Sequence, residues 1–447
     1  MLPALNPADL QPQDRADPFC SHFGPCGGCQ LQHLSYAAQF GHKAAQLRAL
    51  LEAASLALPQ LQLHPSPPLA YRNRIRLTLA VVDGQLRAGY VRSLANHGDG
   101  SSTARLKHTN KYGFSDAGLE GEDRLKPISI PYGIFSLPIR ECPIAAPILW
   151  RATEALLALL NQSPSTWLRD SHHRLDQLEL FTTADESRLQ LTLYLRTAAK
   201  TLPAKLITAF AALCEALRTR IPELAGAGIA LLPALSKQRS RRVEQPRPGP
   251  TWGRPGFNYT VAPPEPRTLN LEPQTYWVPR GAFFQINRFL LPELLALVTG
   301  NRSGQLAFDL YAGVGLFSRT LAARFAHVTA VEIAEPSFTS LASIKPTNLR
   351  AIQSTTLDFL RAAVLERDRP SLIVLDPPRS GAGPEVCSLL ARIAAPTLIY
   401  VSCSPVTLPA DLKTLTASGY TLAELHLFDL FPQTTHIETV AILTRKK

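Results

Sequence analysis

LAFDLYAGVGLFSRTLAARFAHVTAVEI, residues 306–333, reads as one strand–turn–helix–strand unit. LAFDLYA is short and almost wholly apolar, as a strand buried on both faces of a parallel sheet must be. Gly313 and Gly315 supply a tight turn and let a ligand approach the backbone. LFSRTLAARF follows at helical spacing, and VTAVEI is the next strand. Working outward, SLIVLD (371–376) and TLIYVS (397–402) repeat the pattern with helical runs between them. The region after residue 280 is therefore an α/β domain, a parallel sheet covered on both faces by helices. In such sheets ligands bind at the carboxyl ends of the strands. The chemically distinctive stretches are expected at that edge: the Gly313–Gly315 turn, Asp376-Pro-Pro-Arg-Ser-Gly381, Ser402-Cys403-Ser404-Pro405 and His436-Ile-Glu438.

Upstream the texture differs. RIRLTLAVV and GQLRAGYV flank Asp83-Gly84, a hairpin pattern, and LDQLELFTT and RLQLTLYLR are further strands. This middle region is mainly β (α+β), with a helix near 145–161. Residues 94–130 are polar and lack periodicity, as in a surface insertion, and 236–267 are rich in Arg and Pro, as in an exposed loop or hairpin tip. Nearer the N-terminus, Ser35 reads as the cap of a helix bearing Tyr36, Phe40, Ala44, Leu47 and Leu51. Before it lie Cys20, Cys26 and Cys29 on a Gly-rich loop. Three soft ligands so close select zinc or an iron–sulfur cluster, with His22 and His33 as further candidates for zinc. The expected organisation is a disordered lead-in (1–18), a cysteine loop and helix (19–60), a central domain (61–270) and the α/β domain (271–447).

The chain has 447 residues, 45% of them apolar, which is ample for packed cores and excludes a mainly disordered protein. No apolar run reaches the ~20 residues a membrane span needs, and MLPALNPADLQPQDRADP has no signal-peptide pattern. A cytoplasmic protein with no membrane partner is expected. The net charge of +11 favours a polyanionic partner. Seven cysteines in a reducing compartment argue against a disulfide framework. Cys214 and Cys387 fall in helical runs and read as core.

The Gly-rich turn has the GxG form rather than GxGxxG, which disfavours a dinucleotide site. Glu332 ends the next strand, where a carboxylate can bind ribose hydroxyls, and Asp358 follows a third strand, where it could border an adenine. Followed by DPPR, these features point to S-adenosylmethionine. Taken together, FFQIN (283–287), DLYAGVGLF, LDPPRSG, YVSCSP and FPQTTHIETV resemble, in order and approximate spacing, the RNA uracil-5-methyltransferases that act on ribosomal and transfer RNA. The resemblance implies a Rossmann-like methyltransferase fold for 271–447 and a reaction that forms 5-methyluridine. Uracil C5 is a poor nucleophile; a thiolate added at C6 makes C5 able to attack a sulfonium methyl, and a base must then remove the C5 proton. The resemblance assigns Cys403 to the nucleophile and Glu438 to the base. Asp376, Gln285 and Phe283 would position the uracil. Gln285, Tyr311, Gly313, Gly315, Glu332, Asp358 and Asp376 would hold the donor. It also implies a 4Fe-4S cluster on Cys20, Cys26, Cys29 and, from the later ECPI segment, Cys142. The cofactors expected are thus S-adenosyl-L-methionine and that cluster, and the partner is RNA, 23S rRNA preferred and tRNA possible, bound by a monomer.

The sequence departs from the family in places. Ala312 stands where Cys is frequent and Leu316 where Asn is common, and, with 19 residues ahead of Cys20, the small β-barrel RNA-binding domain that often precedes the cysteines is not expected. Neither substitution removes a group the chemistry needs. Competing readings are cytosine-5 methylation, a catalytically silent RNA-binding iron–sulfur protein and a nicotinamide oxidoreductase. The HIE motif with Gln285, the intact nucleophile, base and donor motifs, and the short GxG turn with DPPR and SCSP weigh against these in turn.

Overall fold

A computed structural model describes residues 11–82, 84–92, 128–130, 134–162, 173–233, 246–263, 272–344 and 346–446. The elements run from α1 (Tyr36–Ala53) and β1 (Leu61–His64) into a middle sheet. That sheet comprises β2 (Arg74–Val82), β3 (Gln85–Arg92), β4 (Ile128–Ile130), β5 (Ile134–Pro138), β6 (His173–Thr182), β7 (Leu189–Thr197), β8 (Leu224–Pro233) and β9 (Arg247–Gly253), with α2 (Pro147–Gln162) and α3 (Ala204–Arg220) interspersed. Its order is β4-β5-β3-β2-β6-β7-β8-β9. Only β7 and β8 pair in parallel, through a crossover that contains α3; the other pairs are antiparallel. The inward faces of the strands pack with α2 and α3 in one core that includes Leu156, Leu193, Phe210 and Cys214. This is the α+β domain expected from the alternating strands.

A hairpin of β10 (Gly256–Val261) and β11 (Gln274–Pro279) leads into the last domain. There follow α4 (Leu291–Thr299), β12 (Gly304–Leu310), α5 (Leu316–Ala322), β13 (Phe325–Glu332), α6 (Ser337–Ala342), β14 (Leu349–Gln353), α7 (Thr356–Glu366), β15 (Leu372–Leu375), α8 (Pro384–Ile393), β16 (Thr397–Ser402), α9 (Leu408–Ala417), β17 (Tyr420–Phe428) and β18 (Glu438–Arg445). The sheet order is β1-β17-β18-β16-β15-β12-β13-β14. All neighbours are parallel except β18, which is antiparallel to both β16 and β17. One face is covered by α1, α7, α8 and α9. The other is covered by α4, α5 and the β10–β11 hairpin. The doubly wound α/β class read from the apolar runs is thus observed.

Several particulars differ from the sequence reading. The α1 helix, capped by Ser35 as expected, buries Leu47 and Leu51 against the C-terminal sheet. β1 pairs with β17, Leu61 opposite Leu425. Residues 36–64, assigned to the cysteine loop and the start of the central domain, thus pack with the α/β domain. Each fully buried leucine contributes about 2–3 kcal/mol, which ties this segment to the sheet. Residues 11–18, expected as part of a disordered lead-in, are bonded: Ser35 N donates to Asp14 O at 2.8 Å and Ala16 N to His33 O at 3.0 Å. Of the expected 94–130 insertion only β4 is described, paired with β5. Of the Arg- and Pro-rich stretch 236–267, expected as an exposed loop or hairpin tip, residues 246–263 are described and carry β9 and β10 instead; the rest lies outside the described residues.

Candidate active site

The chain runs β12→β13→β14 toward one edge and returns to β15 on the other side of β12. The crevice beyond β12 and β15 is therefore the topological switch point of the sheet. Beyond β12, Tyr311 has φ +62, Gly313 +58 and Gly315 +86. A Cβ on Gly315 would stand 2.5 Å from Ile344 Cδ1, whereas one on Gly313 would meet nothing within 4 Å. Gly315 thus permits close packing with α6, and Gly313 faces open space at the mouth of the crevice. Tyr311 is half-buried in a left-handed conformation that costs a non-glycine residue about 1–2 kcal/mol. Glu332, at the end of β13, accepts from Gly313 N at 2.9 Å and from Ala334 N at 2.6 Å. Its carboxylate is thereby aimed at the glycine turn.

Beyond β15 stands Asp376. Gln285 Nε2 donates to Asp376 Oδ2 at 3.4 Å. Gln285 is itself held from the middle domain, because Asn73 Nδ2 donates to its carbonyl at 2.9 Å. Cys403 follows β16 directly. The antiparallel direction of β18 brings Glu438, its first residue, to the same edge. The register pairs Ser402 with Thr439, so Cys403 and Glu438 come next to each other one step beyond. Glu438 is 2% exposed, and its Oε1 has no hydrogen-bond partner. Phe283, by contrast, is 62% exposed, an aromatic face on the surface two residues before Gln285.

The electrostatics follow from crowding acids in a poorly hydrated crevice. Burial, and then the Asp309 charge, push Asp376 up to about 7, with the Gln285 hydrogen bond opposing. Asp309, fully buried and bonded to Ser318, is also pushed up to about 7 by burial. Burial and Asp376 raise Glu438 well above the usual carboxylate range, and Arg379 opposes. The Cys403 thiol is raised to about 11 by burial and then by Glu438 and Asp376. Burial, followed by Arg379, lowers His436 to about 4, so its ring is neutral near pH 7. Arg379 Nη2 lies 3.5 Å from His436 Nδ1. A site built this way suits a cationic ligand, which would relieve the crowded carboxylates.

The structure therefore gathers Gln285, Asp376, Cys403 and Glu438 at one edge, with Tyr311, Gly313, Gly315 and Glu332 around the neighbouring turn. Asp358 does not join them. It is exposed in the first turn of α7, where it accepts from Thr355 Oγ1 at 2.6 Å and pairs with Arg361 at 3.2 Å. Its sequence position after a strand is explained by this capping role. Arg379 was quoted within DPPR without a role, yet it is the cation that faces Cys403, Glu438 and His436.

The second cluster of candidates lies at the N-terminus. Cys20, Cys26, Cys29 and Cys142 line one cavity of about 170 Å³, together with His22, Tyr90 and Arg72. Cys142, far away in sequence, is thus brought to the loop. Among the described residues, no group of three or more His, Cys, Asp or Glu side chains converges on a single metal-ion position. His22 Nε2 accepts from Arg140 N at 2.9 Å, and His33 is not part of the lining. Burial pushes Cys26 and Cys29 up to about 12. Cys214 and Cys387 are fully buried in apolar cores, as expected. Among the described residues, no helix is long and apolar enough to cross a membrane.

Comparison with known proteins places this arrangement. The family described as tRNA (Uracil-5-)-methyltransferase matches residues 270–446. A 23S rRNA (uracil(1939)-C(5))-methyltransferase of Chromohalobacter salexigens is 28% identical over 97% of this chain and 77% of its own length. An uncharacterized RNA methyltransferase of Thermotoga maritima is 34% identical over 38% of this chain and 40% of its own. The crystal structure of the Pyrococcus abyssi tRNA (uracil-54, C5)-methyltransferase with S-adenosyl-L-homocysteine shares the fold, with a TM-score of 0.61 at 20% identity over 94% of this chain and 86% of that one. With the sheet, the switch-point turn and the Cys403–Glu438 edge in the same segment as the family match, the α/β domain belongs to the RNA uracil-5-methyltransferase family, and the chain as a whole is similar to 23S rRNA uracil-C5 methyltransferases.

Proposed function

We propose that the protein methylates C5 of a uracil in large-subunit ribosomal RNA, acting as a cytoplasmic monomer. The observation that carries the mechanism is the β16–β18 register beside Asp376. The thiolate of Cys403 adds to C6 and the C5=C6 pair moves onto C5, which takes the methyl group as its bond to the donor's sulfonium sulfur breaks with the pair left on that sulfur. Glu438, buried with one unpartnered oxygen, then removes the C5 proton. The electrons of that C–H bond re-form C5=C6, and the C6–S bond breaks with its pair returning to sulfur. Asp376 and Gln285 position the uracil edge. Phe283, being exposed, offers a ring on which the splayed-out base stacks. The bound S-adenosylmethionine supplies an electrophilic methyl on a positive sulfonium. Gln285, Tyr311, Gly313, Gly315, Glu332 and Asp376 are the residues proposed to hold it. RNA carrying 5-fluorouridine has no removable proton at C5. It is expected to trap the wild-type protein covalently and to leave Cys403→Ala free; equal trapping of both would refute the role of Cys403.

The ribosomal reading rests on relatives described as 23S rRNA enzymes that align with 97% of this chain. A transfer-RNA substrate is favoured instead by the family match and the Pyrococcus neighbour. Methyl incorporation into purified 23S rRNA and tRNA, side by side, decides between them.

The cluster reading is supported by the four cysteines lining one cavity, a donor set of four thiols of the kind that holds an iron–sulfur cluster, and by their burial, which leaves the thiols in need of a cationic centre to become thiolates. Cys20, Cys26, Cys29 and Cys142 would ligate a 4Fe-4S cluster in a structural capacity. Protein purified anaerobically is expected to carry about four irons; one zinc instead would refute the assignment.

A further inference from the structure

The loop 429–437 between β17 and β18 delivers Glu438; Asn287 holds the carbonyls of Asp429 and Leu430 at its start, and the N-terminal segment holds its middle, around Gln433. Gln433 sits at its centre with φ +68. Its carbonyl accepts from Gln30 N at 2.9 Å and Leu31 N at 3.0 Å, the two residues directly after Cys29. Gln39 of α1 closes both ends of the same residue: its Oε1 accepts from Gln433 N at 3.0 Å, and its Nε2 donates to Gln433 Oε1 at 2.8 Å. Gln30 Nε2 donates to Gly27 O at 2.7 Å, inside the cysteine loop, while its Oε1 accepts from Thr435 N at 3.4 Å. Tyr71, next to the cavity-lining Arg72, donates from its hydroxyl to Pro432 O at 3.0 Å. Gln39 and Gln433 are almost fully buried, so water cannot replace these bonds if the segment moves.

We propose that the cysteine loop, ordered by its metal centre, is the brace that keeps Glu438 at the uracil. Filling of the Cys20–Cys26–Cys29–Cys142 site and placement of the base are then one coupled equilibrium. This rests on the catalytic reading given above. Release of Gln433 leaves Cys403 on its own strand end, so addition to C6 and methylation of C5 continue. Removal of the C5 proton fails, the C6–S bond is not broken, and a covalent protein–RNA adduct accumulates. Gln39 and Gln30 are positioning residues in this scheme.

The test compares anaerobically purified full-length wild type with Gln39→Leu, Gln30→Ala and Cys26→Ala. Amide hydrogen exchange over 429–437 is followed alongside 5-methyluridine formation and gel-shifted covalent adduct. Exchange at Gln433 and Thr435 should quicken in Gln39→Leu and Cys26→Ala. Gln30→Ala, which keeps both backbone bonds, should show a smaller effect at Thr435. In Gln39→Leu, turnover should fall about tenfold, with the KM for S-adenosylmethionine unchanged and the adduct fraction increased. A purely structural role would lower activity without raising the adduct fraction. Unchanged exchange over 429–437 in Gln39→Leu and Cys26→Ala, or reduced turnover without adduct, overturns the proposal. If wild type forms no 5-methyluridine the catalytic reading fails instead, and the exchange measurements still decide whether the brace exists.

Discussion

Cys403 is an unusually reluctant nucleophile in the free protein, and that reluctance is measurable. Burial, Glu438 and Asp376 raise its thiol from an ordinary 9.0 to about 11. Near pH 7.5 its thiolate should therefore be scarcer than that of an unperturbed cysteine by up to about a hundredfold, with solvent screening trimming the factor at a half-buried sulfur. Iodoacetamide reacts with the thiolate only, so the alkylation rate of the Cys403 peptide, read by mass spectrometry across pH 6–11, reports this fraction. The profile should still be climbing above pH 9. Glu438→Gln removes the larger of the two facing charges, so its profile should move to lower pH; the burial contribution, which is larger, stays. A cationic sulfonium beside the carboxylates should act in the same direction, which would couple nucleophile activation to donor binding. An inflection near 9 in wild type, unchanged by Glu438→Gln, would refute the electrostatic argument.

Other consequences follow from named contacts. Asp309 holds its proton up to about 7 in the fold, against an ordinary 3.8. Its contribution to stability is thus complete below about pH 3.8 and is lost as pH rises through 7; Asp309→Asn should gain unfolding free energy relative to wild type as pH rises from 5 to 8, by at most about 4 kcal/mol in denaturant unfolding. Lys43 and Asp429 form a fully buried ion pair at 2.6 Å, and Lys43 also donates to Phe431 O at 3.0 Å. Asp429→Asn should cost about 3–5 kcal/mol in denaturant unfolding, and a Lys43→Met/Asp429→Leu double variant much less. Gly315→Ala would meet Ile344 and Leu341 with φ at +86 and should destabilise by about 1–3 kcal/mol, whereas Gly313→Ala meets no atom but keeps φ at +58, so it should cost only the backbone strain of about 1–2 kcal/mol and also weaken S-adenosylhomocysteine binding in calorimetry.

What the sequence disclosed was whatever a local pattern can carry. LAFDLYA, SLIVLD and TLIYVS are apolar because both faces of their strands are buried, so the C-terminal sheet was readable. Cys403, Asp376 and the glycine turn could be placed at its edge because strand ends are local features. What escaped notice depends on distant pairing. Nothing in LQLH reveals that β1 adds beside β17. The antiparallel insertion of β18, which brings Glu438 to Cys403, is a matter of topology rather than composition. Asp358 shows how one position can carry two signals: a carboxylate after a strand, and, with Thr355 three residues before it, a helix cap that the structure forms. Gln39 and Gln433 are 394 positions apart and carry no local signal, and only the fold shows them bonded to each other.

The central claim concerns a pair of residues and one product. Unmodified 23S rRNA and tRNA, incubated with the protein and methyl-labelled S-adenosylmethionine, should be digested and their nucleosides resolved by mass spectrometry. Labelled 5-methyluridine should appear with wild type, vanish with Cys403→Ala, and with Glu438→Gln remain largely attached to protein. Labelled 5-methyluridine released by Cys403→Ala at the wild-type rate, or 5-methylcytidine in its place, would contradict the account.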